Sequence, residues 1–456
     1  MMTTVFPLSD SISSSEKMDK SSETKISSSG STKVTVESII ECVNKEKDSR
    51  RRPSIYTVPS TIRDLRPNSF SPRVVSIGPL HREHENVQEF EGRKPYYLST
   101  LMSDKSSLQQ EVLQSCVEKA YTLMEDIRAC YVWTKTYKDD EVAKMMVMDA
   151  CFILGFILQI HESSKRSGKR KNLVTQVIIY DLVLLENQIP FFFLEEIFGC
   201  TLSKFYPDVS LIKFLHPVLD HLRFFKGDIN FQNISTNNTP HLLGLLHECY
   251  NPGDNDIPTS TLSSTIRSAI DLDRAGVHIR PNENPKWLME MDVKVHRYPL
   301  FFWSWSKTAL KMPVLKVHHF SELVLRNLIA YEQFRRTSKY ITSYVVAMDM
   351  LVNTQEDIAK LIDSEVLVNY MSSNEEAAYM INSIGKEVAC EEFYYGEQWN
   401  ILNKYCNSYW PKHIAKMRKT YFSSPWNMIA LVAGIILFTL TVLQTIFTIK
   451  PIGSNN

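Results

Sequence analysis

The chain has 456 residues, and its 44% hydrophobic and 11% aromatic content is enough to bury a sizeable core. Lys+Arg and Asp+Glu both number 51, so no net field recruits nucleic acid or an acidic substrate. Glycine, at 14 residues, falls well below the usual ~7%, which argues against sandwiches, Gly-rich phosphate loops and doubly wound nucleotide folds and favours helices.

Residues 1–33 are Ser-rich with few large apolar side chains, so a disordered segment and linker is expected over 1–54. It includes the basic run SRRRP at 49–53, which reads as a solvated linker. The first thirty residues contain no apolar stretch of the signal-peptide kind. None of the eight cysteines forms a C-x-x-C pair, a pattern that fits a reducing compartment. From Ile55 to Leu80 the prolines Pro59, Pro67, Pro72 and Pro79 exclude a long helix and predict an extended, turn-rich opening. His81 and His84 have a ligand-like spacing, but no third ligand is identifiable and no metal is expected.

Leu108, Val112, Cys116, Ala120, Met124 and Ile127 recur at helical spacing and predict a helix over Ser106–Trp133. A second, over Glu141–Ile160, contains Asp149 and is short for a span, so it is predicted as a core helix. The basic loop KRSGKRK (165–171) reads as exposed. In Ile178–Phe198 a helical period runs through Leu182, Leu185, Ile189, Phe192 and Phe193, and Pro190 should kink that helix or split it. Glu186, Asn187 and Gln188 precede the proline, where freed backbone groups need partners. Glu195 and Glu196 are adjacent on a helix and point about 100° apart, which disfavours a shared acid–base site.

Residues 227–262 are polar around HLLGLLHECY and are expected to form a variable surface connection, with sequons at Asn233 and Asn237. Alternation in MEMDVKV (289–295) and in MPVLKV (312–317) predicts a small antiparallel element. Thr354 with Asp357, and Ser373 with Glu376, read as capping boxes, and Gly385 can stop the helix that Ser373 opens. A last helix before the C-terminal run is expected over Glu397–Tyr421.

Residues 428–449, from Met428 through Leu437 to Ile449, carry no charge. As a helix at ~1.5 Å per residue they would reach about 33 Å, enough to cross a hydrocarbon core of ~30 Å. Trp426 and Lys450 suit the two interfaces. The expected fold is mainly α: one large helical cytosolic domain over 55–425 with a small β element, a transmembrane helix at 428–449 and a short tail at 450–456.

Several stretches together resemble one plant family of membrane-associated proteins, "domain of unknown function 247". They are IYTVPSTIRDLRPNSFSPRVVSIGPLH (55–81), DLVLLENQIPFFFLEEIF (181–198), SAIDLDRAGV (268–277), LRNLIAYEQ (325–333), YVVAMDMLVNTQEDIAKL (344–361) and the 402–427 run before the span. The second contains Leu185, Glu186, Asn187, Pro190, Phe191 and Phe192, marked here as structural motif residues. The chain departs from the family pattern at HREH (81–84) and at VHHFSELVLRN (317–327). The resemblance implies a helical domain before a single C-terminal span, and it brings no catalytic residue. Some relatives are associated with self-incompatibility in grasses, which implies recognition or signalling.

No phosphate-loop, dinucleotide-binding, zinc-protease or nucleophile-elbow motif occurs. The functional expectation is therefore a single-pass protein of the plasma membrane or an endomembrane that binds an unidentified protein partner. No cofactor, catalytic residue or nucleic acid is expected. A membrane-bound enzyme of unrecognised type is the alternative, and a structural scaffold is a third option.

Overall fold

A computed structural model describes residues 32–40, 53–101, 106–133, 135–165, 173–203, 206–227, 234, 239–253, 267–296, 307–335, 337–386, 388–408, 416 and 425–449. Residues 32–40 form an exposed helix within a unit ending at Arg52, and the unit from Pro53 onward holds the core. The basic runs at 49–52 and 166–171, the sequon asparagines Asn233 and Asn237 and the 450–456 tail lie outside the described residues.

The opening segment is irregular, as its prolines require, and leads to α1 (Lys94–Leu101). The predicted helix over Ser106–Trp133 is two: α2 (Ser106–Thr122) and α3 (Met124–Ala129), separated at Leu123. Next comes α4 (Asp139–Lys165), long and apolar enough to cross a membrane. Its most apolar stretch, however, is 78% buried inside the chain. It packs on α1 and α2, and a Cβ added at Gly155 would lie 2.5 Å from the Tyr97 carbonyl oxygen. That close approach needs glycine, and α4 is a core helix, as Asp149 and its length indicated.

The Ile178–Phe198 stretch splits completely. Helix α5 (Leu173–Asp181) stops, residues 182–190 turn, and α6 (Phe191–Thr201) begins after Pro190, its N-cap. Proline serves at that boundary because it has no N–H to leave unpaired. Phe193 is fully buried, whereas Phe192 is partly exposed. Helix α7 (Leu211–His221) follows, then α8 (Leu242–Glu248).

Within 227–262, the surface reading fails at the helix. Leu242–Leu246 and His247 are buried, and Tyr250 stacks on Phe224 at 5.7 Å. Four leucines around one glycine bury too much apolar area for a surface connection. Residues 228–233, 235–238 and 254–266 lie outside the described set.

The β element is mixed rather than purely antiparallel. Strand β1 (Val277–Pro281) pairs in parallel with β3 (Lys307–Met312), and β2 (Asp292–His296) pairs antiparallel with the other edge of β3. The predicted MPVLKV strand breaks at Pro313, which cannot donate to a ladder. Its second part, β4 (Leu315–Val317), pairs in parallel with β5 (Leu367–Asn369). Phe225 bridges to the other side of β4 at Leu315.

Between β4 and β5 lie α9 (Ser321–Phe334), α10 (Tyr340–Leu351) and α11 (Gln355–Asp363). The Thr354–Asp357 capping box forms as predicted. After β5 come α12 (Asn374–Ile384), capped by Ser373 and ended at Gly385, and α13 (Gly396–Asn407). The rest of the helix expected to reach Tyr421 falls, apart from Lys416, outside the described residues. One cluster of buried side chains runs from Ile55 to Cys406. Helix α14 (Pro425–Ile449) closes the described chain. The fold is mainly α with small mixed sheets.

Candidate functional site

The motif residues before Pro190 are buried and act on backbone. Asn187 Oδ1 accepts from Ile77 N at 2.6 Å, while its Nδ2 donates to Val75 O and Asp181 O. Gln188 Nε2 donates to the carbonyls of Leu182, Leu184 and Asn187, and its Oε1 accepts from Leu243 N. Asp181 accepts from the amides of Arg73, Val74 and Val75, and burial pushes its pKa up to about 6. Leu185, fully buried, is held through its own N–H, which donates to Asn327 Oδ1. These amides and carboxylates replace the helical bonds that 182–190 gives up. They also tie the irregular 73–78 segment to it.

Glu186 Oε1 accepts from Val58 N at 2.6 Å and pairs with Arg63. His81 Nε2 lies 2.8 Å from Glu186 Oε2 without hydrogen-bond alignment. Burial raises the Glu186 pKa, but the contacts from His81 and Arg63 outweigh it and hold the carboxyl below its ordinary value. His81 thus meets a carboxylate, and His84 Nδ1 at 3.3 Å, rather than a metal constellation. Among the described residues no group of three His, Cys, Asp or Glu side chains is placed to hold a metal.

Sequence reasoning missed a second buried cluster. His247, Glu332 and Tyr340 are essentially inaccessible. Glu332 accepts from Ile341 N at 2.9 Å and Thr342 N at 2.7 Å, so a carboxylate from α9 caps the first turn of α10. Tyr340 donates its one proton to His247 O at 2.6 Å, so toward His247 Nδ1, 2.8 Å away, its oxygen acts as acceptor. His247 Nε2 faces Glu332 Oε1 at 2.9 Å. Both ring nitrogens thus face groups that can accept, an arrangement that favours the protonated ring. Burial pulls its pKa down, but Glu248 and Glu332 outweigh burial and raise it.

His241 shows the opposite state. Its Nδ1 accepts from Gly244 N, its Nε2 faces Ser54 O, and burial lowers its pKa to about 3. It stays neutral.

A histidine with a raised folded pKa adds stability that is fully present below its unfolded value and lost as pH rises through the folded one. His247 is thus expected to make the domain progressively less stable above pH 6.5. Urea midpoints measured against pH should fall through that window, and His247→Asn should remove the His247 part of the fall while lowering stability at pH 6.

Neither of two concavities among the described residues is lined by a member of these clusters. An apolar void of about 20 Å³ is bounded by Leu325, Tyr344 and Met380, with no ionisable carboxyl or imidazole in its wall. The other concavity is an open groove of about 550 Å³ at β5, lined by Lys226, Pro281, Val314, Glu365, Val368 and Asn374 together with Leu367 and Asn369. In the β4–β5 ladder, Val366 O accepts from Leu315 N and Tyr370 N donates to Val317 O. The alternation of a parallel strand then turns the peptide groups of Leu367 and Asn369, two residues that line the groove, away from β4.

Glu365, on the rim, has φ 61°. Val366 N bonds to Leu361 O and Glu365 N to Ile362 O, the bonds of a helix C-terminal motif whose left-handed position ordinarily takes glycine. Glutamate there costs roughly 1–2 kcal/mol, and strain of this kind collects at functional surfaces.

Helix α14 is exposed among the described residues. Its Trp426–Thr448 stretch has mean hydropathy 2.3 and is 0% buried, so it is long and apolar enough to cross a membrane. Met428 and Leu437 are exposed, and Ile449 ends the helix.

Comparison with known proteins supplies a family. The sequence is 26% identical over 426 residues to UPF0481 protein At3g47200 of Arabidopsis thaliana, covering 86% of this chain and 85% of that one. It is 22% identical over 486 residues to the putative UPF0481 protein At3g02645 of the same plant, covering 86% and 89%. No solved structure matches. Residues 55–440 match the family described as plant protein of unknown function, DUF247, and so the chain belongs to that family.

Proposed function

We propose that this chain is a membrane-held binding protein whose groove beside β5 receives an extended segment of another protein. The open edge of β5 carries the reading. Strand groups at Leu367 and Asn369, unpaired among the described residues, offer main-chain hydrogen bonds to an added strand, and Val368 and Asn374 give side-chain contacts. The ionisable clusters, by contrast, are spent on backbone and ion pairs inside the core, and none of their members lines this groove. Balanced charge supplies no field for a polyanion.

Helix α14 supports the tether, which would confine the domain beside the bilayer and raise its effective concentration toward other membrane proteins. Lys412, Lys416, Arg418 and Lys419 precede α14 and Lys450 follows it, a bias that favours a cytosolic domain. Two measurements test the proposal. A glycosylation site appended after Asn456 should be modified in membranes; glycans on Asn233 or Asn237 instead reverse the orientation. Metabolite profiling of a loss-of-function line should show no accumulating compound that the purified protein consumes, and such a compound makes the protein an enzyme.

A further inference from the structure

We infer that α14 pairs with α14 of a second copy through Gln444. This rests on the tethering reading above and goes beyond it. Four threonines in the helix satisfy themselves: Thr439 donates to Ile435 O, Thr441 to Leu437 O, Thr445 to Thr441 O and Thr448 to Gln444 O, at 2.6–2.8 Å. The Gln444 amide has no such recourse and makes no hydrogen bond among the described residues. In hydrocarbon an unpaired amide is costly, because no water replaces the missing partner.

The surrounding face fits a helix. Ala430, Gly434, Leu437, Thr441, Gln444 and Thr448 recur at alternating spacings of four and three, the seam of a left-handed helix pair. Added volume at Gly434 would meet nothing within 4 Å, so a neighbouring backbone can approach closely there. The bulky Ile435, Ile436, Leu443 and Phe447 occupy other faces, toward lipid. A second copy is the occupant because a primary amide both donates and accepts. A two-fold axis beside Gln444 satisfies both amides with one reciprocal contact, and it brings the same six residues together.

The test uses full-length chains labelled separately with donor and acceptor fluorophores and reconstituted in phosphatidylcholine vesicles at a series of protein-to-lipid ratios. Energy transfer should rise with protein density. Gln444→Leu should require about tenfold higher density for the same transfer, in line with one interhelical polar contact, and Thr439→Leu should behave as wild type. An alkaline wash of the same vesicles separates the two readings. Protein released by the wash overturns both the tether and the pairing. Protein that stays but shows no transfer at any density overturns the pairing alone, and transfer unaffected by Gln444→Leu overturns the assignment to this face.

Discussion

Replacing Lys94 with methionine is expected to lower the unfolding free energy by about 3–5 kcal/mol, the usual cost of stranding one member of a buried ion pair. Lys94 on α1 and Asp149 on α4 are 1% and 0% exposed. The ammonium lies 2.5 Å from Asp149 Oδ1 and donates to Ser76 O at 2.6 Å, while Asp149 Oδ2 accepts from Gly78 N at 2.8 Å. Lys94, which also pairs with Glu91, thus fastens two helices and the irregular 76–78 segment through Asp149. Gly78 has φ 74°, and a Cβ there would meet Gln188 O at 2.6 Å, so this segment fits against 182–190 with no slack. Methionine fills the space of lysine but leaves the carboxylate with one amide and Arg82 Nη1 at 3.7 Å. Urea unfolding followed by tryptophan fluorescence checks the loss; a change within ±0.5 kcal/mol would mean that the pair does not hold these segments together.

The second large effect is expected at Leu437→Lys. Leu437 is 65% exposed near the middle of α14. A lysine at the centre of a spanning helix costs about 2.5–3.5 kcal/mol of insertion, roughly a hundredfold shift toward the uninserted form. Alkaline fractionation of plant membranes should move the variant into the supernatant while the wild type stays in the pellet. Equal retention of both would mean that α14 is held by something other than lipid.

These effects differ in how far the sequence foretold them. The apolar C-terminal helix, the buried α4 and the Thr354 capping box were legible because each depends on neighbours within a few residues. A run without charge, an aspartate in an otherwise apolar helix and a threonine three residues before an aspartate are local signals. Pro190 was legible too, as a break, but its outcome was not. Leu182, Val183, Leu184 and Leu185 are all buried, so the hydrophobic period could not separate a helix from a buried turn. What decides the matter is where Asn187 and Gln188 send their amides, and two of those partners, Val75 and Leu243, lie far away in the chain.

The same reasoning explains the errors. HLLGLLHECY was placed on the surface because its flanks are polar, yet its own leucines carry the burial, and His247 finds Glu332 and Tyr340 across 85 and 93 residues. The Lys94–Asp149 pair spans 55 residues and has no spacing signature. The mixed sheet was misread because alternation reports a half-buried strand and not its direction. Of the groove, the sequence showed β4 in part and β5 not at all. Three residues are too few for a period, and the left-handed Glu365 sits where glycine would have signalled the turn.

The central claim, a protein-binding groove beside β5, is tested most directly by a photo-crosslinking residue placed at Val368 of the full-length chain in plant membranes, with Tyr121 on α2, 50% exposed, as the control position. Irradiation should yield one dominant protein adduct from Val368 and none of that mass from Tyr121. The same adduct from both positions, or no protein adduct from Val368, would contradict the account.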